Sequence, residues 1–403
     1  KGDIFVENAA RRTHIYAFCA ATTLFWFAMY TYVPILAPYV EHLGGSLSMA
    51  GLVVGSYGFT QMLVRIPIGF ASDRLGRRKP FVILGLCLAA ASSLGLGIAT
   101  GPTAALIFRG TAGLAAGTWV AFSVLFASYL PPDQTARSMG LLMFFTTMGQ
   151  TLATTIGGVL VDLLGWKAPF FVGAAAGFLS LLLTGAVAES PAASARSIDL
   201  ADLARVGSDR QLLKVSGLGI VFQALTYASV HGFTPSYAVQ LGASGTDLSI
   251  LALISALPAA VISLWIGALT DRLGERTILV GSIVLFAGAV LVIPLSTRLG
   301  TLYLSQALGS VGRGTIMPVL MSLAIKEVAA EYRATAMGFY QSIYALGMTL
   351  GPVVMGLVGD AVGLRFGFVL IGLLGFAAAG LARQWIPGES RTVTRSGRHT
   401  FQD

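Results

Sequence analysis

Three arginines stand inside long apolar runs of the sequence: Arg65, Arg109 and Arg313. A guanidinium stays protonated and presents a fork of N–H donors that fits carboxylate and phosphate groups. In an apolar segment such a charge is costly, so it faces either protein or a water-filled cavity. The three positions therefore predict an interior that carries positive charge and can bind an anion.

Arg313 is the strongest candidate for contact with an anionic substrate group. It lies about a dozen residues into its apolar run, roughly 18 Å along a helix in a bilayer core of about 30 Å. Its neighbours Gly312 and Gly314 leave space for a ligand or for a closely packed helix. The alternative role for Arg313 is an internal hydrogen bond.

Arg109 shares a helix face with Gly113 and Gly117. The two glycines admit a neighbouring backbone, so the arginine points toward the same helix–helix seam. Arg65 lies in the run that ends near Asp73. Its structural alternative is to pair with carboxylates or carbonyls at that end, whereas Arg109 is a candidate for both substrate binding and coupling.

Few groups in the apolar runs can carry a proton. His231 titrates near neutral pH and shares a helix face with Tyr227; its alternative role is that of a hydrogen-bonded interior residue. The 18 Asp and Glu residues all fall in predicted loops, tails or helix ends. This distribution disfavours a buried carboxylate as proton carrier and favours a neutral or anionic substrate over a cationic one.

Large side chains with polar tips are candidates for the wall of a substrate cavity. In an apolar span they suit an amphipathic organic molecule, although core or lipid-facing positions are the alternative for each. The candidates are Trp26, Tyr30, Tyr57, Phe122, Gln150, Tyr227, Gln341 and Tyr344.

The elements that must position these residues are membrane-spanning helices. The 403-residue chain is 55% hydrophobic and 11% charged, with a mean hydropathy of +0.78, far from soluble composition. A bilayer core needs about twenty apolar residues per helix. Runs of that length lie at 14–40, 47–71, 80–100, 103–129, 137–163, 168–188, 212–240, 247–270, 277–296, 300–327, 334–360 and 364–386.

The rest of the composition excludes several other classes. The net charge of +8 comes from short loops beside apolar runs, so the chain is not predicted to bind nucleic acid. Cys19 and Cys87 both fall in apolar runs and predict no disulfide. No metal-ligand cluster or phosphate-binding loop appears in a convincing context, so no metal and no cofactor is predicted.

A charged hairpin occurs twice, and its two copies indicate that the chain contains an internal repeat of two similar halves. The first spans Gly69–Lys79 and includes Asp73, Arg74, Gly76, Arg77 and Arg78; the second spans Gly267–Arg276 and includes Asp271, Arg272 and Gly274. Asp271 minus Asp73 is 198, and Asp360 minus Asp162 is also 198.

Such parallel repeats place a substrate near mid-membrane between two halves that move against each other. At the position 198 residues after Arg109 stands Ala307, and this asymmetry favours a functional role for Arg109. The hairpin residues are predicted to gate that motion: Gly69 permits close helix approach, Gly76 suits a left-handed helix end, and Asp73 can face the positive N-terminus of another helix.

The predicted architecture is all-α, with twelve transmembrane helices in two pseudo-symmetric six-helix bundles. Residues 1–188 form the first bundle, 189–211 a polar linker, 212–386 the second bundle and 387–403 a disordered tail. Loops on the hairpin side carry most of the Arg and Lys, while the opposite loops hold only Lys167, Arg298 and Arg365. The hairpins, the linker and both termini are therefore predicted to be cytoplasmic, in the inner membrane.

The hairpin pattern Gly-x-x-x-Asp-Arg-Leu-Gly-Arg-Arg, with its degenerate second copy, resembles the loop between helices 2 and 3 of the major facilitator superfamily. The resemblance covers residues 14–386. The segment Arg109–Gly113 resembles a helix-4 motif that this family links to proton coupling, which favours the drug:proton antiporter-like branch. Two departures stand against that branch: helix 1 has no carboxylate, and Ala153-Thr154 replaces the Gly-Pro expected on helix 5.

The resemblance implies a monomeric secondary transporter that uses alternating access and is not an enzyme. Proton-coupled export of a small amphipathic solute is the first hypothesis. An organic-anion uptake carrier, uniporter or exchanger is the second, because Arg65, Arg109 and Arg313 have no mid-membrane carboxylate opposite them. A non-transporting receptor of the same fold is the alternative from another class. An integral-membrane enzyme and a channel are disfavoured.

Overall fold

The computed structural model describes residues 2–130, 134–185, 187, 189, 205–329 and 332–387. Within these residues the regular structure is helical, and twelve helices are long and apolar enough to cross a bilayer. They are α1 (Thr13–His42), α2 (Leu47–Leu75), α3 (Lys79–Ile98), α4 (Pro102–Ala127), α5 (Ser138–Leu164), α6 (Ala168–Gly185), α7 (Arg210–Gln240), α8 (Gly245–Ser263), α9 (Glu275–Leu295), α10 (Leu299–Ile325), α11 (Thr335–Val362) and α12 (Leu364–Trp385). The all-α class and the number of spans are confirmed.

The helices pack as two copies of one arrangement. In the first half α2 packs on α4, α1 on α5 and α3 on α6; in the second half α8 packs on α10, α7 on α11 and α9 on α12. Every pair therefore recurs six helices later, as the constant offset of 198 residues predicts. Between the halves, two seams make the contact: α2 packs on α11, and α5 packs on α8. The two pseudo-symmetric bundles are confirmed.

Small residues let these helices meet closely. On α2, Gly51, Gly55 and Gly58 follow one another at helical-turn spacing, and a Cβ on each would collide with α11 at Pro352, Thr349 and Met348. Small residues replace bulky ones at such crossings because packing, rather than hydrophobic burial, drives helix association in lipid. These three glycines, here called the glycine stripe, thus form the α2 side of the α2–α11 seam.

Several spans deviate from a continuous α-helix near the centre of the protein. In α1 the helix that ends at Tyr30 is followed by a 3₁₀ turn, Val33–Ile35, before helix resumes. In α7 the residues Ser229–Phe233 form a π turn. The predicted run 247–270 divides into α8 and a short helix, Ile266–Leu273, because i→i−3 bonds tighten the end of α8 at Leu264 and Trp265.

The predicted linker and tail lie largely outside the described residues. Of 189–211, only residue 189 and residues 205–211 are described, and of 387–403 only residue 387 is. The Glu189 carboxylate accepts hydrogen bonds from the N–H groups of Arg78 and Lys79 at 2.6 and 3.1 Å. It therefore caps the start of α3, where the helix dipole favours a negative charge.

Candidate functional site

A cavity of about 490 Å³ lies between the halves. Its wall is built by α1, α5, α7, α8 and α10. Five of the residues predicted from the sequence lie in that wall: Tyr30, Gln150, Tyr227, His231 and Arg313. The cavity is therefore the candidate substrate site.

Arg313 is fixed in the wall by the neighbouring helix α8. Its Nη2 group donates a hydrogen bond to the Ser255 carbonyl, while its Nε has no hydrogen-bond partner among the described residues. Gly312 packs against the Ser282 carbonyl of α9, and Gly314 packs against Ala259 of α8. Both glycines thus serve close helix packing, and Gly314 also lines the cavity beside Arg313.

The remaining polar groups of the wall are neutral. Amides of Gln150, Gln223 and Gln306 and several Ser and Thr hydroxyls face the cavity. The Ser255 hydroxyl, 3.3 Å from Gln306 Oε1, donates a hydrogen bond to it. Among the described wall residues there is no Asp or Glu, so Arg313 gives the cavity an unbalanced positive charge.

His231 and Arg109 are joined by a row of aromatic rings that crosses from one half to the other. The His231 ring lies 5.0 Å from the Tyr227 ring, which stacks at 6.3 Å on Tyr57 of α2. The Arg109 guanidinium sits 4.4 Å from the centre of the Tyr57 ring and donates a hydrogen bond to the Tyr32 hydroxyl at 3.3 Å. His231 lies in the π turn of α7 and faces the cavity.

Six of the candidate residues do not belong to the cavity wall: Trp26, Tyr57, Arg109, Phe122, Gln341 and Tyr344. Arg109 is buried behind Tyr57 with 4% of its surface exposed. Trp26 packs edge-to-face on Trp119 at 5.2 Å, and Tyr344 packs edge-to-face on Tyr340 at the same distance. Gln341 faces the other half of the protein.

The Gln341 amide oxygen accepts a hydrogen bond from Arg65 of α2. Arg65 therefore pairs with a carbonyl group, which was its structural alternative. Gln341 supplies that group from the opposite half instead of lining the cavity. Arg65 is buried with 8% of its surface exposed. The pair bridges the α2–α11 seam between the two ends of the helices.

Two carboxylates close the halves at the end of the helices opposite the hairpins, here called the capped end. Asp162, at the end of α5, accepts hydrogen bonds from the N–H groups of Gly245 and Thr246 at 2.8 and 2.7 Å. Asp360, at the end of α11, accepts from the N–H groups of Leu47 and Ser48 at 2.9 Å each. Each acid binds the N-terminus of a helix in the other half, where the dipole attracts it.

Sequence reasoning missed the role of Asp162 and Asp360. Their sequence positions indicate helix ends and the 198-residue repeat, but no contact between the halves. The signal was available, because each acid follows a glycine by four residues, Gly158 and Gly356. A Cβ at Gly158 would collide with the Gly245 carbonyl, and one at Gly356 would collide with the Leu47 carbonyl.

The other end of the helices, here called the hairpin end, has no comparable closure in the described contacts. Asp73 forms an ion pair with Arg78 of its own hairpin, and Arg78 Nη1 donates a hydrogen bond to the Ser72 hydroxyl at 2.7 Å. The described contacts of Asp73 include no N–H group at the N-terminus of another helix, so its predicted gating role stays a prediction. Gly76 ends α2 with φ 65°, as expected for a left-handed helix end.

Within the described part of the chain, no hydrogen bond or ion pair joins the predicted gating residues of the second hairpin to the first half. A Cβ at Gly267 would have no neighbour within 4 Å, and Asp271 and Arg272 are exposed. Gly274 takes a positive φ of 81° at the start of α9. In the first hairpin Arg74 and Arg77 are exposed as well, and the nearest neighbour of a Cβ at Gly69 would be Val120 of the same half at 3.9 Å.

The described residues contain no group of His, Cys, Asp and Glu that could hold a metal ion.

The sequence model of the Major Facilitator Superfamily matches residues 18–216 and 216–400. An uncharacterized MFS-type transporter of Methanocaldococcus jannaschii is 25% identical over 82% of this chain and 87% of its own. Multidrug resistance protein MdtG of Enterobacter lignolyticus is 27% identical over 83% of this chain and 82% of its own.

The fold is also found among solved structures. A bacterial homologue of the human lysosomal transporter Spinster, in an inward-facing and unoccupied conformation, superposes with a TM-score of 0.81. The match covers 93% of this chain and 97% of that protein, at 17% sequence identity. At this identity the likeness establishes the fold alone.

Proposed function

This chain belongs to the major facilitator superfamily, and on that premise we propose that it exports a small amphipathic solute across the cytoplasmic membrane by proton-coupled alternating access. Membership makes it a multi-pass membrane protein and a secondary transporter of a small-molecule substrate. The observation that carries the proposal is the cavity between the halves, with Arg313 in its wall. A neutral or anionic polar group of the solute would bind there.

Alternating access is supported by the contrast between the two ends of the helices. Asp162 and Asp360 join the halves at the capped end, while the hairpin end has no such join among the described contacts. Positive charge is concentrated on the hairpin side, so that end is cytoplasmic and both termini lie there. The solute therefore loads from the cytoplasm, which fits export. One chain supplies both halves of the cavity, so a monomer is sufficient.

Proton coupling is assigned to His231 and Arg109. His231 faces the solute, and its ring contacts the aromatic row that ends at the Arg109 guanidinium. A proton on His231 would add to the positive charge of the cavity and so change the affinity for the solute. The name of the relative MdtG, a multidrug resistance protein, supports the export direction.

An organic-anion carrier is the second candidate. It is favoured by one observation: Arg313 faces the cavity with an unpartnered Nε, and the described wall residues include no acid. Under this alternative the protein takes up, exchanges or equilibrates the anion, and the direction follows the solute gradient. The two candidates share the site and differ in coupling and direction.

Transport by proteoliposomes that contain a pH-sensitive dye separates the two candidates. We expect amphipathic neutral and anionic solutes to produce proton movement and amphipathic cations to produce none. Arg313→Gln should abolish the response to anions, whereas Arg365→Gln, an exposed arginine at the start of α12, should leave it intact. Solute movement without proton movement would refute coupling and favour the carrier; a response to cations alone would refute the proposed site.

A further inference from the structure

The cavity is displaced toward one of the two seams between the halves. Its wall includes residues of α5 and α8, such as Thr151 and Ala256, but within the described part of the chain none of α2 or α11. The pseudo-symmetry of the fold would make the two seams alike. The difference between the two seams therefore comes from the side-chain packing of this protein and not from the pseudo-symmetry of its repeat.

The α2–α11 seam is closed over most of its length. It begins at the capped end, where Asp360 binds the N–H of Leu47, and continues through the glycine stripe of α2. The hydrogen bond of Arg65 to Gln341 still joins the helices farther on. Since Arg65 lies eighteen residues after Leu47, this seam is joined over roughly 27 Å.

Among the described residues, the hydrogen bonds that cross the α5–α8 seam all lie close to the capped end. Here Asp162 binds the N–H of Gly245, and the Ser249 hydroxyl accepts a hydrogen bond from the Gly158 N–H at 2.8 Å. That contact lies about 6 Å along α8 from its start. Farther on, Thr154 through Thr147 of α5 and Ser255 through Ser263 of α8 face one cavity. The stretch along which both helices line the cavity is here called the side gap.

The outer faces of the same two helices are apolar and exposed. Phe144 and Leu152 on α5 are 61% and 48% exposed, and Leu257 and Val261 on α8 are 49% and 58% exposed. In a bilayer, side chains of this kind contact acyl chains. On the cavity side, the side gap is therefore lined by Thr and Gln of α5 and by Ser and Ala of α8, and its rim on the lipid side is apolar.

The positive charge of the cavity lies on the side of this gap. Arg313 donates to the Ser255 carbonyl of α8, and Ser255 and Ala256 both belong to the wall. A carboxylate or phosphate bound to Arg313 would thus sit against the helix that borders the gap. An apolar chain attached to that head group could extend outward without crossing the polar wall.

We propose that the side gap admits a single-chain anionic amphiphile from the bilayer, with its head group bound to Arg313 and its apolar chain held between α5 and α8. This inference rests on the transport function proposed above and specifies its substrate class and its route. The apolar chain of the amphiphile stays out of water at each stage, so loading avoids the free-energy cost of hydrating that chain. The Gln and Thr side chains of the wall complete the polar contacts of the head group.

Spin-label accessibility in liposomes tests whether the gap opens to lipid. A nitroxide is attached to Thr151→Cys or Ala256→Cys, with Cys19 and Cys87 replaced by Ser. Oxygen concentrates in lipid, whereas a nickel chelate stays in water. We expect both labels to be relaxed by oxygen at least threefold more than a label at Val230→Cys, a wall residue of α7. Equal, low oxygen accessibility at all three sites would overturn the side gap.

The ligand is tested on the same labelled proteins with myristate as the probe, acetate as its head group alone and tetradecanol as its chain alone. We expect myristate to immobilise the Thr151 label, and Arg313→Gln to require at least tenfold more myristate while oxygen accessibility stays unchanged. An equal effect of acetate would show binding from water, and an equal effect of tetradecanol would show nonspecific partitioning; either overturns the proposal. Failure of transport with intact labelling results would refute the transport function and not this route.

Discussion

The helices that form the seams carry glycines at both ends, but only the glycines of the capped end contact the opposite half. Gly158 and Gly356 lie at the capped end of α5 and α11, and Gly140 and Gly338 lie eighteen residues earlier on the same helices. A Cβ at either of the first two would collide with backbone of the opposite half, while at either of the second two it would meet nothing within 4 Å. The same residue type is thus a packing contact at one end and unused at the other.

The acids show the same contrast. Asp162 and Asp360 bind helix N-termini across the seams, whereas Asp73 pairs within its own hairpin and Asp271 is exposed. A transporter needs both ends to be able to close, but not together. In the present conformation the described hydrogen bonds that join the halves at a helix end are those of the capped end. We expect the hairpin-end residues to make their contacts between the halves in another conformation.

Gly158→Val is expected to have the largest effect on this contrast. Its side chain would press on the Gly245 carbonyl, and overpacking of this kind costs about 1–3 kcal/mol. We expect the closed population of the capped end to fall about tenfold. The distance between spin labels at Lys167 and Arg298 measures it. Gly140→Val is the matched control, and an equal loss in that variant would contradict the comparison.

Asp162→Asn and Asp360→Asn should each open the capped end by a smaller amount. An amide offers one acceptor where the carboxylate offers two, and it removes the charge that faces the helix dipole, worth about 0.3–2 kcal/mol. We expect a loss of closed population of about threefold for each, measured with the same pair of labels. The two seams share no partners, so the double variant should be additive. Asp271→Asn should change nothing at this end.

Gln341→Leu should shift the conformational balance and spare solute affinity, because Gln341 binds Arg65 and not the cavity. Its matched partner is Gln150→Leu, a wall residue. We expect Gln341→Leu to change the label distances, since it leaves a buried guanidinium without its partner, and Gln150→Leu to weaken solute binding a few-fold. Solute affinity in proteoliposomes is the measurement. Reversed results would place Gln341 in the binding site after all.

Asp73→Asn should have the smallest effect on the conformation described here. Its partner Arg78 lies in the same hairpin, so the closed population of the capped end, measured by the label distance there, should change less than twofold. A gating role would appear only when the hairpin end closes, as a change in the distance between labels at Leu75 and Leu273. No change in that distance under turnover would make Asp73 a residue of hairpin structure alone.

The sequence predicted the helices well because its signals there are local. Apolar length decides whether a segment crosses the bilayer, and Gly76 and Gly274 mark turns by their own backbone freedom. The site was predicted in part. Tyr30, Gln150, Tyr227, His231 and Arg313 reach the cavity, but Trp26, Tyr57, Arg109, Phe122, Gln341 and Tyr344 do not belong to its wall.

The sequence by itself determined the membrane class, the number of spans and the repeat, since hydropathy and a constant offset of 198 residues require no knowledge of contacts. Only the tertiary structure decided which face of each helix meets the cavity, which acid meets a helix N-terminus and which seam stays open. Those outcomes depend on the rotation and crossing of whole helices. Packing between residues hundreds of positions apart, such as Arg65 and Gln341, sets that rotation, and no local pattern contains it.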